Sequence, residues 1–290
     1  MKHIPLLFCI AVLGFFLTAC SHDNEEGQPT ESNYNRNDVS VCREAGRLEF
    51  PRLKGGNSLV IVHRTNDSYG VNYSLEWDID KKSQRWSCYQ LTKATLKAST
   101  GRYTGEPQYP EDPDLPQAYY WDKDYFWNSG FDHGHICPSA DRLYSKEANY
   151  QTFFLTNMQP QYNKFNAGLW AVMENQLRTW TRSVGTDTLY VCKGGTIDSR
   201  DQILKHLGGK LIVPKHFFMA LLLKNAQGYR SLAFWCENEN IDRSKDNLGD
   251  YAISIDDLER KTGIDFFCNL PDNTEKTVEQ SVSLSAWGLK

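Results

Sequence analysis

Residues 42 to 290 predict a single α+β domain built on a largely antiparallel central sheet with helices. Three observations carry that expectation. Strand signals cluster before residue 92, a strand–turn–strand–helix succession occupies the middle, and three more strands follow it. About 250 residues suffice for one domain with a substantial core, and no solenoid-length repeat divides them.

Taken in order, Ser58 to Arg64 is a β-branched run, Val71 to Asp78 alternates, and Arg85 to Leu91 is aromatic and polar; each reads as a strand. Arg102 to Gln117 is a long connection rich in Pro, Asp and Tyr, which suits a surface loop. Phe131 to Ile136 reads as a strand, Pro138 to Leu143 as a turn, and Phe153 to Thr156 as another short strand. Asn166 to Arg182 is the strongest helix signal. Asn166 suits an N-cap there, and Trp170, Met173, Leu177 and Trp180 repeat at three to four residues. Leu189 to Lys193, Phe217 to Lys224 and Tyr229 to Trp235 follow as strands, the middle one apolar enough to be buried on both faces. Ser254 and Asp257 resemble a capping box for a short helix that closes at Gly263.

The first twenty residues are expected to stand outside the fold. Lys2 is their one permanently basic side chain, and the apolar run Leu6 to Leu17 is short for a membrane span but suits a secretory signal. Leu17-Thr18-Ala19-Cys20 resembles a bacterial lipobox, which implies lipidation of Cys20 and an outer-membrane lipoprotein. An uncleaved anchor with an incidental cysteine is the alternative. Residues 21 to 41 read as a flexible polar tether. The acidic residues after Cys20 resemble a surface-export signal, so the cell surface and the periplasmic face both stay open.

Composition narrows the function. The formal charge is −4, or −5 once Lys2 leaves with the signal, and no basic run of five residues occurs. That counts against a protein that coats nucleic acid electrostatically, but not against an enzyme that concentrates positive charge at one site. Cys42, Cys88, Cys137, Cys192, Cys236 and Cys268 allow fifteen full pairings, with small buried thiols as the equal alternative. None forms a C-x-x-C pair, which argues against a zinc ribbon or a thioredoxin-type site.

The chemistry-bearing residues come in an ordered set. Phe131-Asp132-His133-Gly134-His135 is followed by Asn157, by Asn166-Ala167-Gly168-Leu169-Trp170, and by Glu174 and Arg178. His135 can act as a general base, because a neutral imidazole accepts a proton from water near neutral pH. Asp132 or a carbonyl could hold its other nitrogen. Asn166 offers an amide oxygen, a hard donor suited to magnesium, and would serve equally as a plain N-cap. Glu174, within about 80° of Asn166 around an ideal helix, could hold a metal-bound water. Arg178, one turn further, fits either an ion pair with Glu174 or a contact to phosphate. Asn157 suits phosphate orientation or a turn. Tyr119, Tyr120, Trp121, Tyr125, Phe126 and Trp127 suit packing first and base stacking second. Two zinc ligands at His133 and His135 are a distant alternative, since no further Cys or His stands at suitable spacing. A proton acceptor, hard oxygen ligands and a guanidinium together are the parts for hydrolysing a phosphodiester with one divalent cation.

This set resembles the DNA/RNA non-specific endonuclease family, of Serratia nuclease and endonuclease G type with a ββα-metal (His-Me finger) site. The resemblance runs from about Tyr73 to Phe267. It implies that His135 activates water, that Asn166 binds Mg2+ (or Mn2+) directly, and that Glu174 binds it through water. Asn157 and Arg178 would stabilise the phosphate, and Arg102 would contact substrate. It further implies DNA and RNA as substrates, cut with little sequence preference to leave 5′-phosphate ends; a homodimer stays open. The family motif usually reads D-R-G-H, whereas this chain has His133 in the arginine's place. Histidine cannot grip phosphate bidentately, so reduced activity in a narrow pH window is expected. The alternative function is a catalytically weakened surface lipoprotein that binds nucleic acid or a glycan.

Overall fold

The computed structural model describes residues 31 to 290. The signal, Cys20 and most of the expected tether lie outside the described residues. The chain runs through β1 (Ser58–Arg64), β2 (Val71–Asp78), β3 (Ser83–Leu91), β4 (Asp132–His135), α1 (Lys146–Gln151) and β5 (Met158–Gln161). It continues through α2 (Ala171–Arg182), β6 (Thr186–Gly195), β7 (Ile203–Leu207), β8 (Leu211–Pro214), β9 (His216–Asn225) and β10 (Gly228–Glu237). β11 (Ala252–Ile253), α3 (Ile255–Thr262) and α4 (Asp272–Glu279) follow.

Seven strands make one antiparallel sheet in the order β1-β2-β3-β6-β9-β10-β11. β9 lies inside it and is buried on both faces, as its unbroken apolar run requires. Met219, Leu221 and Leu223 point into the core that holds α2, while Phe218, Ala220 and Leu222 point into the core that holds α3. That division follows from the two-residue period of a strand. α2 buries Met173, Leu177 and Trp180 on one face, with Trp170 just before it. Each such side chain contributes roughly 1.5–3 kcal/mol by leaving water. α3 starts with Ser254 Oγ accepting the Asp257 amide and stops at Gly263, whose φ of 68° terminates the helix in the left-handed region.

Three expectations need correction. Phe153 to Thr156 is not a strand: Leu155–Asn157 forms a 3₁₀ turn and the strand begins at Met158. An apolar run marks burial but carries no period, and here it fills a buried turn. The β7–β8 hairpin went unread because Ile203–Leu207 exposes Leu204, Lys205 and His206 and turns through Gly208 and Gly209. Residues 33 to 41, assigned to the tether, dock on the domain. Asn37 Nδ2 donates to the Ala45 and Pro51 carbonyls at 3.0 Å each, and its Oδ1 accepts the Leu53 amide at 2.9 Å. Asn33 Nδ2 donates to the Cys268 and Leu270 carbonyls. The six described cysteines are free thiols, with Cys88 opposite Cys192 across β3 and β6.

Candidate active site

β4 and β5 form a separate antiparallel ribbon in which Gly134 faces Gln159 and His135 faces Met158. A side chain at position 134 would force its neighbour to move: a Cβ there would stand 2.3 Å from Oε1 of the buried Gln161. The Phe165–Trp170 segment and α2 follow the ribbon. Gly168 breaks the helical path with φ −98° and ψ −109°, so α2 starts beyond it. Asn166 therefore is not the N-cap, and helical periodicity cannot relate it to Glu174. Both nonetheless line one cleft of about 730 Å³, together with Arg102, Asp132, His133 and His135.

Asp132 orders this cleft. Its Oδ2 accepts Asn166 Nδ2 at 2.9 Å and Asn163 Nδ2 at 3.0 Å. The nitrogen end of the Asn166 amide is thereby committed to protein, and the oxygen, a hard donor, is left for another partner. Asp132 is thus spent on asparagines rather than on His135. His135 instead hydrogen-bonds to the His133 backbone, and its Nε2 is buried without a protein partner. Burial first, then the charge of Arg102, pushes its pKa down to about 3. A neutral ring with a free nitrogen is what a proton acceptor requires.

Glu174 on α2 meets a partner that the sequence reading missed. Lys193 of β6, fully buried, donates to Glu174 Oε1 at 2.6 Å. Burial raises the Glu174 carboxyl, Lys193 pulls it the other way, and Asp141 adds to the rise. Arg102 stands at the cleft with its guanidinium carbon 4.6 Å over the Phe153 ring.

Three other expected roles change. Asn157 is fully buried. Its Oδ1 accepts the Cys137 amide at 2.9 Å, and its Nδ2 donates to the Cys137 and Thr152 carbonyls at 2.8 Å each. It has no capacity left for phosphate and acts as a staple behind β4. Arg178 donates to Asp141 Oδ1 and to Asn175 Oδ1, both at 2.7 Å, rather than pairing with Glu174. Asp141, itself buried, also accepts the Tyr89 hydroxyl at 3.2 Å. His133 lines the cleft but lies stacked between Tyr109 at 3.7 Å and Phe126 at 4.2 Å, with Nε2 2.8 Å from Asp124 Oδ2. Its faces and one nitrogen are occupied, so it holds the aromatic wall rather than gripping phosphate. Tyr120, Trp121 and Phe126 are core, as packing predicts, whereas Trp127 is 60% exposed and lines the cleft.

Lys193 could have been noticed as a lone charge in an apolar strand, since lysine is rarely buried unless paired. Asp141 and Asp124 carry no local signal, because their roles depend on side chains far away in sequence.

A neutral imidazole, an uncommitted amide oxygen, a carboxylate and a guanidinium around one cleft suit a phosphodiester hydrolase. The family model for DNA/RNA non-specific endonuclease matches residues 59–273, and the chain belongs to that family of nucleic-acid endonucleases. It is 30% identical over 215 residues to nuclease C1 of Cunninghamella echinulata var. echinulata, spanning 72% of this chain and 83% of that protein. It is likewise 30% identical over 210 residues to mitochondrial endonuclease G of Homo sapiens, spanning 69% and 68%. A crystal structure of an EndoG/EndoGI complex superposes with a TM-score of 0.61 at 20% identity, covering 74% of this chain and 89% of that one, a likeness of fold.

Proposed function

We propose that this endonuclease cleaves both DNA and RNA with a hard divalent cation, magnesium or manganese, and with His135 as general base. One observation carries the assignment: His135, whose buried Nε2 has no protein partner, lines a cleft that also presents Asn166, Glu174 and Arg102. The Asn166 amide oxygen would hold the cation directly and Glu174 through water. When bound, the cation supplies Lewis-acid charge at the phosphate oxygens. His135 Nε2 takes a proton from the attacking water as the P–O bond to the leaving sugar oxygen breaks, and solvent returns a proton to that oxygen. Arg102 binds the non-bridging phosphate oxygens, and the exposed ring of Trp127 offers a base a stacking surface. Asn157, Asp132 and Lys193 position these groups.

The test is digestion of supercoiled plasmid and of RNA with magnesium or with EDTA, beside His135→Ala and Asn166→Ala. Both nucleic acids should be cut only with metal, and His135→Ala should lose at least about 100-fold. Cleavage in EDTA, or an active His135→Ala, would overturn the assignment. The leader and Leu17-Thr18-Ala19-Cys20 support a lipid anchor on Cys20, at the outer membrane. Palmitate labelling should mark the wild type and not Cys20→Ser; equal labelling would reject the anchor.

A further inference from the structure

Away from the cleft, on the other side of the sheet, α3 and α4 gather a second set of hard oxygen ligands. Asp256 and Glu259 lie one turn apart on α3, and Glu279 ends α4. One carboxylate oxygen from each lies within 4.8 Å of those from the other two. Two oxygens on opposite sides of a calcium ion stand roughly 4.6–5.2 Å apart, so small side-chain shifts bring all three within reach of one such ion.

A second observation points to a ligand there. Glu279 is only 5% exposed, and its Oε1 has no hydrogen-bond partner. A buried carboxylate costs several kcal/mol, of order, unless a cation or donors compensate it. No salt bridge among the described residues reaches Asp256, Glu259 or Glu279. The neighbouring donors are already spent: the Phe266 amide binds Glu259 Oε1 at 2.7 Å, and Asn35 Nδ2 serves Glu275 and Asp265.

We propose that Asp256, Glu259 and Glu279 form a structural calcium site that ties α3 to α4. Carboxylate oxygens from two helices match the flexible all-oxygen shell of calcium better than the small octahedron that magnesium demands. The site is remote from the catalytic residues and does not depend on the reaction assigned to them.

Calcium titration calorimetry on the Asn166→Ala protein, near neutral pH, removes the cleft's metal ligand and isolates this site. About one calcium per chain should bind and raise the melting temperature. Adding Glu279→Gln or Glu259→Gln should weaken binding at least tenfold and abolish the thermal shift. In the otherwise wild-type protein, Glu279→Gln should retain magnesium-dependent cleavage. If Glu279→Gln does not fold, the partly exposed Glu259 and Asp256, as Glu259→Gln and Asp256→Asn, carry the same comparison. No binding at millimolar calcium, or undiminished binding in these variants, would overturn the site and leave protons as the occupants of the cluster.

Discussion

His135 is kept neutral by its surroundings, and this links the active site to stability. Its folded pKa is about 3, below the value near 6.5 of an unfolded histidine. Between those values the unfolded chain takes up a proton that the folded chain refuses. The contribution is therefore fully present above about pH 6.5 and is lost as pH falls toward 3. Wild type should lose more melting temperature than His135→Gln when acidified from about pH 7 to about pH 4.5; equal losses would reject the assignment. Raised carboxylates such as Glu279 act in the opposite sense and are common to both proteins, so the difference isolates His135. At this scale the residue types were informative: His135, Asn166, Glu174 and Arg102 do meet around one cleft. Asn157 was not legible, because its bonds reach two carbonyls, an amide and the Ser87 hydroxyl that only the fold brings near. Lys193 stands out in sequence as a lone charge in an apolar strand, but its partner Glu174 was not legible, being placed beside it by the packing of α2 on β6.

The ribbon and the helix that follows it owe their geometry to two glycines. Gly134 allows Gln161 to lie against β4, and Gly168 breaks the chain's path so that Asn166 is set by Asp132 rather than by helix geometry. Gly134→Ala would press a methyl group into a side chain that is itself fully buried. Overpacking of this kind costs about 1–3 kcal/mol and here would also shift His135, the next residue. Denaturant unfolding should report that loss, and cleavage should fall at least about tenfold. Unchanged stability would mean that Gln161 yields freely. β-branched, alternating, aromatic or continuously apolar runs located β1, β2, β3, β6, β9 and β10, and helical periodicity located the body of α2, because each element carries its own local signal. Such signals failed at the start of α2 and at β5, where a backbone break and a buried turn leave no period to read.

The whole domain begins earlier than composition suggests. A polar Asn-rich stretch reads as tether, yet Asn33, Asn35 and Asn37 turn their amides onto the far end of the chain and onto the Ala45–Leu53 segment. Asn37→Ala would leave the Pro51 carbonyl and the Leu53 amide without their partner, the Ala45 carbonyl keeping Asn269 Nδ2, at a cost of about 1–3 kcal/mol. A lowered melting temperature is expected; none would return this segment to the tether. The sequence by itself determined the antiparallel α+β architecture, the family, and the residue types of the cleft. Strand alternation, helix periodicity and the ordered motif are local properties that a single chain displays. Tertiary structure alone decided that Asn157 takes backbone partners, that Arg178 pairs with Asp141, that His133 is locked between aromatic rings, and that Lys193 answers Glu174. Those assignments turn on which buried polar group finds which partner, and partners far apart in sequence are chosen only when the chain closes on itself.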